Sequence, residues 1–165
     1  MSRLEKFIFA MTRKTSQVAQ AALVLVMLVI VANIIMRSWW KPLPGSYELV
    51  ELLGAVILSM GAAYCAMTRG HVTVSLLVDK LPKTGQAIVD LFTSLVSFIF
   101  ISAIGWGLIK YGTMVSKRSL ETSTLGIPLY PFYYLVAIGL MMLALTALLE
   151  LLKSVLILIG KRNIK

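Results

Sequence analysis

Residues 21–32 read AALVLVMLVIVA, an unbroken apolar run from Ala21 to Ala32. Outward from this block the apolar character holds from about Ser16 to Met36, and roughly 20 residues suffice to cross a bilayer core as a helix. A cleaved signal peptide carries a shorter apolar region of about 7–15 residues followed by a small-x-small site. Here the run is longer and ends in Arg37, Trp39, Trp40 and Lys41. Tryptophans beside cations are anchors at the membrane interface. The segment therefore reads as a retained transmembrane helix over about 16–36.

Pro42, Pro44 and Gly45 break the chain after it, and Ser46 is placed to cap a second helix through its hydroxyl. Three further apolar segments follow, over about 47–67, 86–111 and 128–159, with Trp106 as a third interface anchor. Pro128 and Pro131 stand where a first helical turn tolerates proline. The last segment, about 45 Å at roughly 1.5 Å per residue, outruns the hydrocarbon core. Glu150 and Lys153 mark where it leaves the apolar layer. The composition agrees: 59% of the 165 residues are hydrophobic and 14% charged, against about 45–50% and about a quarter in soluble domains. The expected fold is an all-α integral membrane protein, a single domain over 1–165, with four transmembrane helices and short amphipathic interfacial helices. Residues 1–14, with Leu4, Phe7, Ile8 and Met11 at helical spacing among Arg3, Lys6, Arg13 and Lys14, form either such an interfacial helix or a frayed basic terminus. Residues 72–81, too short to span and too apolar for a free loop, form another interfacial segment.

The net charge of +9 does not gather into one basic stripe, so nucleic acid is not an expected partner. Lys and Arg instead sit between the apolar runs, where they set topology. With both termini inside, Arg3, Lys6, Arg13, Lys14, Arg69, Lys80, Lys83, Lys161, Arg162 and Lys165 lie on the cytoplasmic side, and Arg37, Lys41, Lys110, Lys117 and Arg118 opposite. This count favours cytoplasmic termini. Cys65 is the single cysteine and lies in an apolar run, so no intramolecular disulfide is expected.

The inventory for catalysis is thin. One histidine, His71, and one cysteine give no metal-ligand set, and nothing near His71 and Asp79 supplies the rest of a catalytic site. No catalytic, cofactor-binding or metal-binding residue is expected. Acids in membrane helices call for inspection because charge burial there is costly. Glu48 and Glu51 open the second helix, where the helix dipole favours anions; Glu51, a turn deeper, could pair with a neighbour's cation. Asp90 lies one turn inside the third helix and Glu150 near the end of the fourth. For all four, structural pairing outweighs a proton relay, since none sits at mid-membrane. Ala55, Ser59, Ala62 and Ala66, with Gly54 and Gly61 beside them, build a face that lets another helix approach closely. Ser94, Ser97, Ile101 and Gly105 form a second mostly small face on the third helix. Prolines are confined to helix ends, and the broken, inverted-repeat helices of transporter cores are missing.

At Arg69-Gly70-His71-Val72-Thr73-Val74 the sequence resembles the small membrane subunit of tripartite ATP-independent periplasmic (TRAP) transporters, the DctQ-like family. That family shows a comparable Arg-x-His-Val-x-Val stretch after its second helix, followed by a Leu-Pro such as Leu81-Pro82, and acids at the start of that helix, matched by Glu48 and Glu51. The motif positions are Arg69, His71, Val72 and Val74. Many members have Trp before an adjacent acidic pair; here Tyr47 precedes Glu48 and the second acid comes three residues on. The resemblance implies an inner-membrane scaffold subunit, working as a heterodimer with a large elevator-type membrane subunit that holds the substrate and sodium sites. It also implies a periplasmic substrate-binding protein that delivers an organic acid anion. The loops Arg37 to Tyr47 and Lys110 to Ile127 would receive that protein, with Lys41, Lys117 and Arg118 as docking cations or as contacts of membrane lipid headgroups. Two other readings compete: a self-contained small proton-coupled transporter, which would need a carboxylate in the first helix, and a structural membrane assembly protein with a non-transport partner.

Overall fold

The computed structural model describes residues 3–39, 41–68 and 83–162. Four long helices account for most of them: α1 (Arg3–Trp39), α2 (Ser46–Met67), α3 (Lys83–Lys117) and α4 (Tyr130–Arg162). Each contains a stretch long and apolar enough to cross a membrane, over Ile8–Trp39, Ser46–Met67, Leu91–Lys117 and Tyr130–Leu152. The protein is all-α, and its expected interfacial segment 72–81 lies outside the described residues.

Helix α1 runs without a break from the basic N-terminal stretch into the first span. No glycine or proline occurs between Arg3 and Trp39, so no residue type in that stretch breaks the ladder of i to i−4 hydrogen bonds. Its buried stripe is Ile8, Thr12, Ser16, Ala19 and Val26. Of the apolar face read in the N-terminal stretch, Ile8 is buried but Met11 is 41% exposed. Arg13 and Lys14 are exposed.

The expectation that Ser46 caps α2 is corrected. Gly45 occupies the N-cap with φ 73, no side chain caps the helix, and Ser46 is buried instead. Only a residue without a Cβ takes this left-handed conformation readily. At α4, Pro131 lies in the first turn while Pro128 stays outside the helix, paired with Glu121 in an isolated antiparallel bridge.

In space the helices stand in the order α1, α2, α4, α3. Among the described residues α1 packs on α2, α2 on α4, and α4 on α3; α1 touches α4 lightly, and α3 meets neither α1 nor α2. This is an open row, not a closed bundle. The seam between α2 and α4 is tight because Gly139 lies against the Ser59–Met60 backbone. Val56 and Met60 of α2 join Ala19 of α1 in a core cluster, packed on by Phe132, Leu135 and Val136 of α4. The seam between α3 and α4 is set by Gly105 against Met141, by Gly112 against Tyr133 and Tyr134, and by an edge-on Tyr111–Tyr133 ring contact at 5.1 Å.

Buried hydroxyls in these seams bond their own helices. Thr12 Oγ1 donates to the Ile8 carbonyl at 2.7 Å, Ser59 Oγ to Val56 at 3.1 Å and Thr146 Oγ1 to Leu143 at 2.7 Å. Among the described residues no buried side-chain polar atom lacks a partner, as an apolar medium demands. Much of the outer surface is apolar: Leu28, Ile34, Phe92, Phe100 and Leu58 are each more than 60% exposed, which only a lipid or protein environment accommodates.

Candidate functional site

Among the described residues, the end of the row where α1 passes into α2 and α3 into α4 is the most organised polar region. The α1–α2 connection is held by Asn33, whose Oδ1 accepts from the Leu43 amide at 2.9 Å. The α3–α4 connection folds on itself. Thr122 N donates to the Ile127 carbonyl at 2.9 Å, Gly126 N to Thr122 O at 3.1 Å, and Leu129 N to Leu120 O at 3.2 Å. Thr122 Oγ1 accepts from Ile127 N at 3.1 Å. Two residues adopt positive φ there, Ser119 at 49° and Gly126 at 64°.

Glu48 ties the two connections together. From the first turn of α2 its Oε1 accepts from Thr124 N at 2.8 Å and its Oε2 from Leu125 N at 3.2 Å. The Leu125 side chain lies across Gly45, in the space a Cβ at that position would need. Sequence reasoning placed Glu48 at the positive end of a helix; the structure adds a partner 76 residues away. Nothing in the local pattern announces that bond. The glycine beside two prolines at 42–45 was the only hint of an unusual backbone.

The other candidates take these places. Lys41, Lys117 and Arg118 are all exposed at this end, and Trp39 is 88% exposed at the close of α1. Trp40 lies outside the described residues. Trp106 is 61% exposed one turn below Lys110, whose Nζ lies 5.9 Å from its ring centroid, a cation–π distance. Glu51 and Glu150 are exposed; Asp90 is on α3, with its side chain outside the described set. The motif residues Arg69, His71, Val72 and Val74 also lie outside the described residues.

The small residues of α2 divide between two faces. Ser59 and Ala66 are buried, with Ser59 against Gly139 of α4. Ala55 is exposed and Ala62 half-buried, and a Cβ added at Gly54 or Gly61 would meet nothing within 4 Å. One side of the helix thus serves the internal seam. Glu51, Gly54, Ala55, Leu58, Gly61 and Ala62 recur at helical spacing on the other.

An apolar groove lies between α3 and α4, lined by Ile109, Tyr134, Ala137, Ile138, Met141 and Met142. Among the described residues no three His, Cys, Asp or Glu side chains gather where they could hold a metal ion. The arrangement offers hydrogen-bonded surface at one end and apolar or small-residue faces along its length, which suits contact with other molecules.

A row of membrane-length helices with a braced polar cap defines a multi-pass, all-α membrane protein. The chain belongs to the family described as tripartite ATP-independent periplasmic transporters, DctQ component, which matches residues 26–156. That range takes in the second half of the first span from residue 26 on, nearly all of the remaining chain with the other three spans whole, the Glu48 contact and the 69–74 motif. It makes the protein a membrane component of a TRAP transporter, from a family of transporter parts, not enzymes. No match was found among curated protein sequences.

Proposed function

We propose that this chain is the small scaffold subunit of a secondary-active TRAP transporter. It pairs with a large elevator-type membrane subunit and helps dock a periplasmic substrate-binding protein for sodium-coupled uptake of an organic acid. The observation that carries this reading is the open row α1, α2, α4, α3. A self-contained carrier needs a polar pathway that its own helices surround, whereas a row offers walls on both sides. The outward side of α2, with Glu51, Gly54, Ala55 and Ala62, is the place for close approach by a helix of the large subunit. Asp90 is a further candidate for an ion pair with that subunit, and the 69–74 motif belongs to the cytoplasmic side of the same assembly. The excess of cations at the other ends of the helices supports cytoplasmic termini and a periplasmic Glu48 end. Lys41, Lys117 and Arg118 then face the binding protein, and Trp39, Trp40 and Trp106 sit at the outer lipid interface.

Gentle detergent extraction followed by mass spectrometry tests the reading: a large multi-helix membrane protein should copurify with this chain. Liposomes holding the purified chain alone should not move organic acids along a sodium gradient. Flux through the isolated polypeptide, or recovery with no such companion, would overturn it.

A further inference from the structure

The 118–129 connection carries no α-helix and no regular strand, yet it is braced on three sides. Its own amides and carbonyls close the turn through Thr122, Gly126 and Ile127. The Glu48 carboxylate grips two consecutive amides, Thr124 and Leu125. Leu125 packs over the bare backbone of Gly45. Lys117 and Arg118 immediately precede this turn, on backbone held by Arg118 N to Met114 O at 3.1 Å and Leu120 N to Val115 O at 3.2 Å. Both cations are exposed, as are Arg37, Lys41 and Lys110 at the same end; the carboxylates there are Glu48, Glu51 and Glu121. Five cations thus stand against three acids, and one of those acids is committed to amides.

We propose that Glu48 is a positioning residue for docking: by clamping the 122–127 turn onto the start of α2, it holds Lys117 and Arg118 in one geometry for an acidic surface of the periplasmic binding protein. The inference rests on the docking role proposed above. Ordering a loop at the moment of binding costs affinity, and a turn already fixed by its own fold has lost that freedom beforehand. Two parallel acceptors are what the clamp requires. A glutamine at 48 keeps the shape and one oxygen, but it turns an NH2 donor toward an amide that also donates. Half the clamp is then lost while the helix remains.

The test uses the chain in complex with its large membrane subunit, reconstituted in nanodiscs, with the cognate binding protein titrated at low and high salt. Lys117→Ala with Arg118→Ala should weaken docking about tenfold and flatten its salt dependence. Glu48→Gln should weaken docking by a similar factor, about tenfold. Added to the cation pair, Glu48→Gln should cost nothing more, because it acts through those side chains. Glu48→Gln docking like wild type, or the two penalties simply multiplying, overturns the clamp while the docking reading stands. Indifference of the cation pair itself sinks the docking reading at this surface. Should Glu48→Gln block assembly with the large subunit, Leu125→Gly, which loosens the turn without substituting any residue of α2, replaces it. The same weakening and the same non-additivity are expected, and their absence is equally fatal to the clamp.

Discussion

Gly139 faces α2 so closely that an added Cβ would lie 2.8 Å from the Ser59 carbonyl carbon and 2.9 Å from the Met60 nitrogen. Backbone atoms cannot swing aside as a side chain can. Gly139→Leu should therefore destabilise the protein by at least about 1–3 kcal/mol, the usual cost of overpacking, seen as a lower unfolding temperature in detergent. Gly61→Leu is the matched control: its Cβ meets nothing within 4 Å, so the isolated chain should keep its stability. If the outward side of α2 seats a helix of the large subunit, the same Gly61→Leu should reduce copurification with that subunit. At this scale the sequence was informative about residue type and silent about partner. The small residues of α2 stood out on inspection, but Gly139, which decides the seam, did not. Nor could the reading of Glu48 at a helix N-terminus foresee amides at 124 and 125, because hydrogen bonds across such separations leave no periodic trace.

Helix α1 was legible as a span and longer than its apolar core suggested. A reading by hydropathy ends a helix where polar residues begin, whereas backbone hydrogen bonding runs on through them wherever no glycine or proline intervenes, as it does here from Arg3 into the apolar core. Its buried side is likewise set by fit. Thr12 is completely buried with its hydroxyl bonded to Ile8, while the more apolar Met11 is exposed. Thr12→Leu should cost about 1–3 kcal/mol in thermal unfolding experiments through crowding, whereas Met11→Leu should be nearly neutral. Equal effects of the two substitutions would show that the buried stripe does not run through Thr12. On α3, Gly112 has Tyr133 and Tyr134 within 3.4 Å of a hypothetical Cβ. Gly112→Leu should loosen α3 in particular, because α4 is the one helix that holds it among the described residues.

Across the molecule, the order α1, α2, α4, α3 makes a prediction about proximity. In a Cys65→Ser background, cysteines at Gly105 and Met141 should form a disulfide under mild oxidation, since an atom at the Gly105 Cβ position would lie 3.7 Å from the Met141 Cγ, the position a cysteine sulfur would take. Cysteines at Leu58 on α2 and Phe100 on α3 should not cross-link within one chain. A strong 58–100 cross-link within a monomer would mean a closed bundle and would remove the basis for a wall. The number of helices and their membrane residence were determined by sequence alone, because the thickness of hydrocarbon dictates how many consecutive apolar residues a span needs. The side-by-side order and the inner and outer faces were decided only by the tertiary structure. In lipid a helix can be apolar all round, so hydrophobic periodicity no longer tells which side meets a neighbour. What decides there is close fit at single small residues and hydrogen bonds between distant loops, neither of which composition records.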